Sequence, residues 1–403
     1  MTGVSTLGQA MAQIDRLKVS QNSFDLLSRQ LSSGKKTQKF SGLGIDILTS
    51  KRARANFKTL ETYQNNMNMA DKRIQTMLTS LREFKAQTQN FRDFLVNFSK
   101  QSAHQQGDFI RQDDPLTPGI VETTPIGLSS GEMDIDFRTM QNFADSISEF
   151  MTELINRQDG ERYVFGGANA LEQPLGNSSA LDTAISTAIN NWKNESSPNN
   201  ISTTQFIADL TDQVASAGNP DAITDTIVGF NATLTAGNAG NVSARINEYN
   251  QVDYTSLANN QGFRDVMVAI SVIRNESLPP IADVYAEPYT FGDPALEEGA
   301  PGATLEEQED NFFELFGAVT SMVIGALDKI DDEIVKLESA RVRIDEAKKV
   351  NREQVKIAKD LISGAEDVDL NEVAVQLTSV QTSLDASYRI TARMQELSLV
   401  NFI

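Results

Sequence analysis

Residues 369–403 read DLNEVAVQLTSVQTSLDASYRITARMQELSLVNFI. From Leu370 the apolar or small residues recur at alternating steps of three and four: Leu370, Val373, Leu377, Val380, Leu384, Ser387, Thr391 and Met394, with Leu397 extending the series. A mean spacing of about 3.5 puts these side chains on one narrow stripe of a helix, the geometry for packing lengthwise on a second helix. Asp369, with Glu372 three residues on, is a capping-box pattern, so the helix is expected to start at Leu370. No Gly or Pro follows, and an amphipathic helix of about 30 residues, on the order of 45 Å at 1.5 Å per residue, is expected to run to the end of the chain. Its stripe needs a cover.

The other end supplies a second stripe of the same period: Leu7, Ala10, Ile14, Leu17, Gln21, Phe24, Ser28 and Leu31. The economical expectation is that the two terminal helices pack on each other and the rest of the chain loops out from them. Ser32-Ser33-Gly34 should end the first helix, with Gly34 as a left-handed cap and Lys35 and Lys36 near the last carbonyls. Two helices alone cannot bury all of their apolar surface, and polymerisation of identical copies would supply neighbours.

Inward of these lie two longer periodic stretches. Residues 45–101 hold no Gly or Pro and carry Leu60, Tyr63, Met67, Ala70, Ile74, Met77, Leu81, Phe84, Phe91, Phe94, Leu95 and Phe98 at helical spacing. The matching stretch contains Phe312, Leu315, Val319, Met322, Ala326, Leu327, Ile330, Ile334, Leu337, Ala340, Val342, Ile344, Val350 and Val355, runs to Ile362 and is expected to break at Ser363-Gly364. The expected order is therefore palindromic: terminal helix, break, long helix, middle, long helix, break, terminal helix. The middle differs in kind. A Pro-containing loop with a strand-like 119–123 precedes a helix near 137–158. Then come Arg162-Tyr163-Val164-Phe165-Gly166-Gly167 and a Ser/Asn/Thr/Ala/Gly-rich stretch, 170–300, with short helices near 180–192, 203–216 and 261–274, a strand near 242–246 and a Pro/Glu/Gly-rich loop at 288–302. That stretch reads as surface. The fold class is mainly α: a long antiparallel bundle or coiled coil built from both termini, with an α+β insertion facing outward. The segments expected are 1–44, 45–165, 166–304, 305–364 and 365–403.

The composition narrows the function. The 403 residues include no Cys, which excludes disulfides and thiolate zinc sites, and a single His104, read as a solvated surface residue. The net charge is −20, yet residues 1–58 hold ten Lys or Arg against Asp15, Asp25 and Asp46. Without base-stacking aromatics among them, these basic residues argue for a mixed-charge helical base and against a nucleic-acid arm. No apolar run suits a signal peptide or a membrane span, so the sequence taken alone reads as cytoplasmic. Gly42-Leu43-Gly44 lacks the third Gly and the preceding strand of a dinucleotide site. Asp367, Asp369 and Asn371 imitate half of a calcium loop, but Glu372 stands where the turn Gly should be and Thr378 where the bidentate Glu should be. Glu306, Glu307, Glu309 and Asp310 suit the first turn of a helix. No motif argues for an enzyme, and no cofactor or metal is expected.

The two ends and the palindromic layout resemble the flagellin and hook-associated protein 3 group of bacterial flagella. Leu31-Ser32-Ser33-Gly34-Lys35 is similar to the group's L-S-S-G segment, Tyr63-Gln64-Asn65-Asn66 to its Y-x-x-N stretch, and 377–399 to its C-terminal helix. Arg162, Tyr163, Phe165, Gly166 and Gly167 are similar to the R-Y-x-F-G-G signature of the hook-associated protein 3 branch, whose members join hook to filament, and 242–263, with Tyr254 and Phe263, looks closer to that branch. The resemblance implies terminal helices that form the inner tubular layer, disordered in the monomer and folded on assembly. It also implies export to the extracellular flagellum without a cleaved signal, which replaces the cytoplasmic reading. The implied partners are other axial subunits, further copies of the chain and an export chaperone, with no nucleic acid and no membrane insertion. The assembly residues it points to are Leu7, Ile14, Leu17, Phe24, Leu31, Leu370, Val373, Leu377, Val380, Leu384, Met394 and Leu397. One departure is Thr37-Gln38-Lys39-Phe40-Ser41-Gly42-Leu43-Gly44, which replaces the polar residues usual after L-S-S-G, so contacts between subunits there do not carry over. Three readings stay open: a junction subunit, the filament subunit, and a cytoplasmic coiled-coil binding module.

Overall fold

The computed structural model describes residues 3–107, 109–113, 121–125, 130–193, 201–216, 219, 222–276, 301 and 305–400. Side chains at 3–7, 9–10, 99–136, 305–310 and 394–400 fall outside that description. The readings of His104, of the acidic side chains at 306–310 and of the 288–302 loop therefore lie outside the described residues, as do the side chains of Leu7, Met394 and Leu397.

The element order is palindromic. Helix α1 (Gly3–Ser33) is followed by a 3-10 turn (Phe40–Leu43) and by α2 (Asp46–Gly107); the chain closes with α9 (Leu305–Glu366) and α10 (Leu370–Val400). Between them lie the hairpin β1 (Phe109–Asp113) and β2 (Val121–Pro125), helix α3 (Ser130–Ile155), and a second hairpin of β3 (Gln158–Asp159) and β4 (Arg162–Tyr163). Next are helices α4 (Ser179–Lys193), α5 (Thr203–Thr211), α6 (Asp225–Val228) and α7 (Ala232–Thr235). The hairpin β5 (Ser243–Arg245) and β6 (Gln251–Asp253) precedes helix α8 (Gln261–Asn275). All three sheets are two-stranded and antiparallel.

The chain forms two compact units, Met1–Asn65 with Glu346–Ile403, and Asn66–Asp345. In the second unit α2 and α9 run antiparallel over a core rich in aromatics. Phe98 packs on Phe316 and Phe137 at centroid distances of 5.0 and 5.7 Å, and Phe84 and Phe165 both meet Phe263 edge-on. The pairing is edged by Arg341 to Asp71 (2.9 Å), Arg82 to Glu338 (2.6 Å) and Lys85 to Asp331 (2.6 Å).

Helix α8 is buried continuously over residues 262–273. Part of the stretch that reads as surface is therefore core. The reason is visible at Gly262, where a Cβ would lie 3.0 Å from the Ile330 side chain and 3.1 Å from the Ala326 carbonyl, so α8 crosses α9 at backbone distance. The fully buried Arg264 donates from Nη2 to the carbonyls of Asp212 (2.7 Å) and Ile223, and from Nη1 to Asp265 (3.1 Å), whose other oxygen accepts from Lys329 (2.6 Å). A buried charge is tolerated only when so partnered.

Two expectations for α9 are corrected. The helix passes through Ser363 and Gly364 and stops only at Glu366. A helical Gly costs roughly 1 kcal/mol relative to Ala, too little to end a helix anchored on both sides. Val342 and Val350 point outward, while Lys348 and Asn351 are buried in their place. The heptad 337, 341, 344, 348, 351, 355, 358 keeps its phase through these polar residues, because geometry and not side-chain type sets which face meets α2. Asn351 Nδ2 donates to the Leu60 carbonyl at 3.0 Å, and its buried Oδ1 finds no hydrogen-bond partner among the described residues.

A buried polar residue in a seam fixes register at a cost in stability. Asn351→Leu is therefore expected to hold or raise stability by about 1 kcal/mol and to broaden the pairing register, read by thermal unfolding at 222 nm and by hydrogen exchange over 346–365. A loss of several kcal/mol would contradict it.

Candidate assembly site

Helices α1 and α10 pack antiparallel within the unit that holds both chain ends. Asp369 caps α10, its Oδ1 accepting from the N–H groups of Asn371 (2.9 Å) and Glu372 (3.3 Å). The capping box is half made, since Glu372 accepts from Gln376 at 3.0 Å.

On α10 the stripe read from the sequence is the buried one. Val373 and Leu384 are 5% and 7% exposed, and Leu377, Val380, Ser387 and Thr391 are half-buried. Leu370 is half exposed and lies outside the seam. On α1 the phase differs. Leu17 and Phe24 are half-buried as expected, but Ile14 is 60% exposed, Leu31 is also exposed, and Leu27, absent from the expected stripe, is buried. Steps of three and four from Leu17 reach Phe24 by Ser20 as well as by Gln21. The first route continues to Leu27, the second to Ser28, and the larger apolar side chain was the signal that decides between them. Gln21 instead stands at the flank, where its Nε2 donates to the Tyr388 hydroxyl at 2.7 Å.

The outward faces are not polar. Met11, Val19 and Leu26, spaced eight and seven apart on α1, and Val375 and Ile390 on α10 are all at least half exposed. A spacing of seven or eight repeats the same helical face, so α1 carries a second apolar stripe turned away from its partner helix.

Where α1 meets α2 and α9 meets α10, the chain crosses itself. Gly34 takes φ +68 and its N–H closes the last turn of α1 on the Gln30 carbonyl at 2.8 Å, the cap expected there. Lys36 N–H donates to the Glu366 carbonyl (2.7 Å) and Val368 N–H to the Gly34 carbonyl (3.1 Å). The lysines do not serve the last carbonyls of α1. Lys35 Nζ reaches Asp367 and Glu366, and Lys36 Nζ reaches the Gly364 carbonyl (2.9 Å) and Asp46 (3.3 Å).

Glu366 is the centre of this joint. Arg54 grips it with two 2.6 Å bonds, and the buried Ser50 hydroxyl donates at 2.7 Å. These Arg54 hydrogen bonds, against an opposing effect of burial and helped by Ser50 and Lys35, hold its carboxyl down to about 2. Asp367 is also lowered, chiefly by its hydrogen bond from Lys35. Sequence reasoning missed the cluster. The available signal was an acid in the last turn of a long helix, where the dipole disfavours negative charge and a cation must compensate.

The residues Arg162, Tyr163, Phe165, Gly166 and Gly167 form an internal joint in the other unit. Arg73 of α2, largely buried, donates to the Tyr163 carbonyl at 2.9 Å. The Phe165 carbonyl accepts from Ala258 (3.0 Å), and Gly166 bridges Leu257. Gly167, at φ +64, leaves no room for a side chain: a Cβ would lie 2.7 Å from the Ala239 carbonyl and 2.9 Å from Leu257. Gly167→Ala is expected to destabilise its unit by about 2–3 kcal/mol from strain plus collision. Gly160→Ala, at φ +72 with open space, should cost only about 1 kcal/mol. Thermal unfolding followed by Trp192 emission compares them, and equal losses would contradict the steric reading.

No helix among the described residues is long and apolar enough to cross a membrane. No curated protein matches the chain. Residues 4–113 match the family model of the bacterial flagellin N-terminal helical region, and residues 316–403 match that of the bacterial flagellin C-terminal helical region. With paired helices at both ends and both flagellin regions in their order, the chain belongs to the bacterial flagellin family, as a structural, self-assembling subunit of the exported flagellum.

Proposed function

We propose that the chain is the junction subunit between hook and filament, and that its terminal helices carry the assembly contacts. The observation that carries the assembly role is the apolar surface left on the outer faces of α1 and α10 after they have packed on each other. Water-exposed stripes of this kind favour a neighbour that removes them from solvent. Segments 1–44 and 365–403 then form an inner tubular layer, and 166–304 faces outward.

The junction assignment is supported by the likeness of Arg162 to Gly167 to the hook-associated protein 3 signature. That turn ties the 239–258 segment to α2 through Arg73, so it gives the middle of the chain a fixed seat. The filament subunit is the second reading, and the two flagellin matches are equally compatible with both. An export chaperone and neighbouring axial proteins are the proposed partners.

Seeded growth separates the two readings. Purified subunit added to filament fragments should add a short cap and stop. Growth into long filaments would overturn the junction reading in favour of the filament subunit. Leu384→Asp, which places a charge in the α1–α10 seam, should abolish addition while the emission of Trp192, in the other unit, stays unchanged. Normal addition by this variant would remove the seam from the assembly contacts.

A further inference from the structure

Two features of Asn66–Asp345 face solvent and match each other in chemistry. The first is the tip of the β5–β6 hairpin. Arg245 donates from Nε to the Asn247 carbonyl (3.2 Å) and from Nη2 to the Glu248 carbonyl (2.8 Å), while Asn247 Oδ1 accepts from the N–H groups of Tyr249 (2.9 Å) and Asn250 (2.7 Å). The Ile246 N–H closes the loop on the Asn250 carbonyl at 3.1 Å. A loop bonded to itself in this way has little freedom left to lose, yet its one aromatic, Tyr249, is 87% exposed. An aromatic side chain held rigidly in water suits the role of a binding anchor, because it buries a large area at low entropic cost.

The second is a slot of about 280 Å³ between α2 and α3. Phe94 and Phe143, tilted by 30° at a centroid distance of 4.8 Å, form its apolar wall, and Asn90, Asp93 and Asn97 stand at its rim. Phe94 is exposed, Phe143 is half-buried, and Phe150, seven residues along the same face of α3, is exposed as well. The volume lies at the small end of ligand pockets. Aromatic walls under a rim of side-chain amides suit a single phenol, with ring against ring and the hydroxyl on an amide. Asp93 is already bonded to Arg92 at 2.7 Å, and Arg245 is engaged in its own loop, so a contact between tip and slot joins neutral surfaces.

We propose that Tyr249 of one copy enters the Phe94–Phe143 slot of the next, making a head-to-tail contact between the middle regions of neighbouring subunits. The occupant is a second copy because the chain belongs to a family of self-assembling subunits. A contact built from two different patches leaves one anchor and one slot free at every step, so it repeats along a row that closes into a ring or continues as a helix. The inference rests on self-assembly, which both readings of the function share. It involves neither α1 nor α10, so it holds whether or not those helices are folded in the free subunit. One ring in one slot buries far less than the roughly 1,000 Å² of a stable interface, so the contact is weak between free subunits and gains strength once other contacts hold the copies together.

The chain has no Cys, so Glu248→Cys beside the anchor and Ser146→Cys, one helical turn from Phe143, each place a single thiol at an exposed position. The two full-length variants are mixed unassembled at high concentration and oxidised, and the 248–146 disulfide is separated from the two self-disulfides by mass spectrometry. Adding Tyr249→Ala to the first variant should lower the mixed product about fivefold or more, the loss expected of a binding anchor. Tyr249→Phe, which keeps the ring, should stay within twofold of the parent pair. Both results should be the same at low salt and at about 0.5 M, because the contact is not ionic. Emission of Trp192, buried in the same unit, should be unchanged throughout. A mixed product that Tyr249→Ala leaves unchanged, or that salt abolishes, would overturn the contact. Loss of the mixed product leaves seeded growth untouched as a separate measurement, and failed growth leaves the mixed product, so the two readings fail independently.

Discussion

The lengthwise antiparallel packing of α2 on α9 is the interaction on which the rest depends. A seam of alternating three and four keeps two helices of 62 residues in contact. Because the helices are antiparallel and each is followed or preceded by a single short turn, the helices outside them, 3–33 and 370–400, start from the same end of the pair. The pairing of α1 with α10 is thus a consequence of chain topology before it is a consequence of their own stripes. Each stripe then sets the rotation about the helix axis.

The seam changes character along its length, and this grades stability. In Asn66–Asp345 it is lined by Met67, Ile74, Met77, Leu81 and Phe84 against Val319, Val323, Ile330 and Leu337, with α3 and α8 added on the flanks. In the other unit its buried positions include Ser50, Lys348 and Asn351 beside Ala53, Leu60, Ala358 and Ala365. Small and polar residues bury less apolar area per turn, at roughly 25 cal/mol per Å², so this end gains less from packing. Its hold depends more on directed bonds: the Asn351 amide, the crossing backbone hydrogen bonds and the Arg54 grip on Glu366. An end built in this way can give way without disturbing the aromatic core, as low-stability segments do in proteins that rearrange on assembly.

Much of the architecture was legible because long heptads are hard to disguise. The helices α2, α9 and α10 followed from spacing alone, and the Gly34 cap from residue type. What escaped did so for physical reasons. The rotation of α1 was ambiguous by one residue because two routes of three and four connect Leu17 to Phe24. Lys348 and Asn351 were unreadable as core because hydropathy assigns polar residues outward, although geometry holds the phase. Helix α8 was read at 261–274, but its burial was obscured by the polar composition around it; that burial comes from Gly262 and from the partners that Arg264 finds at 212, 223 and 265. The Glu366 cluster joins residues more than 300 positions apart, a distance at which no local pattern operates.

The central claim is that the outer apolar stripe of α1 is surface in the subunit and interior in the assembly. Met11, 60% exposed on that stripe, reports it directly through its rate of sulfoxide formation with dilute peroxide, measured by mass spectrometry before and after seeded assembly. The account predicts fast oxidation in the free subunit and at least a tenfold slower rate in the polymer. An equal rate in both states would contradict it.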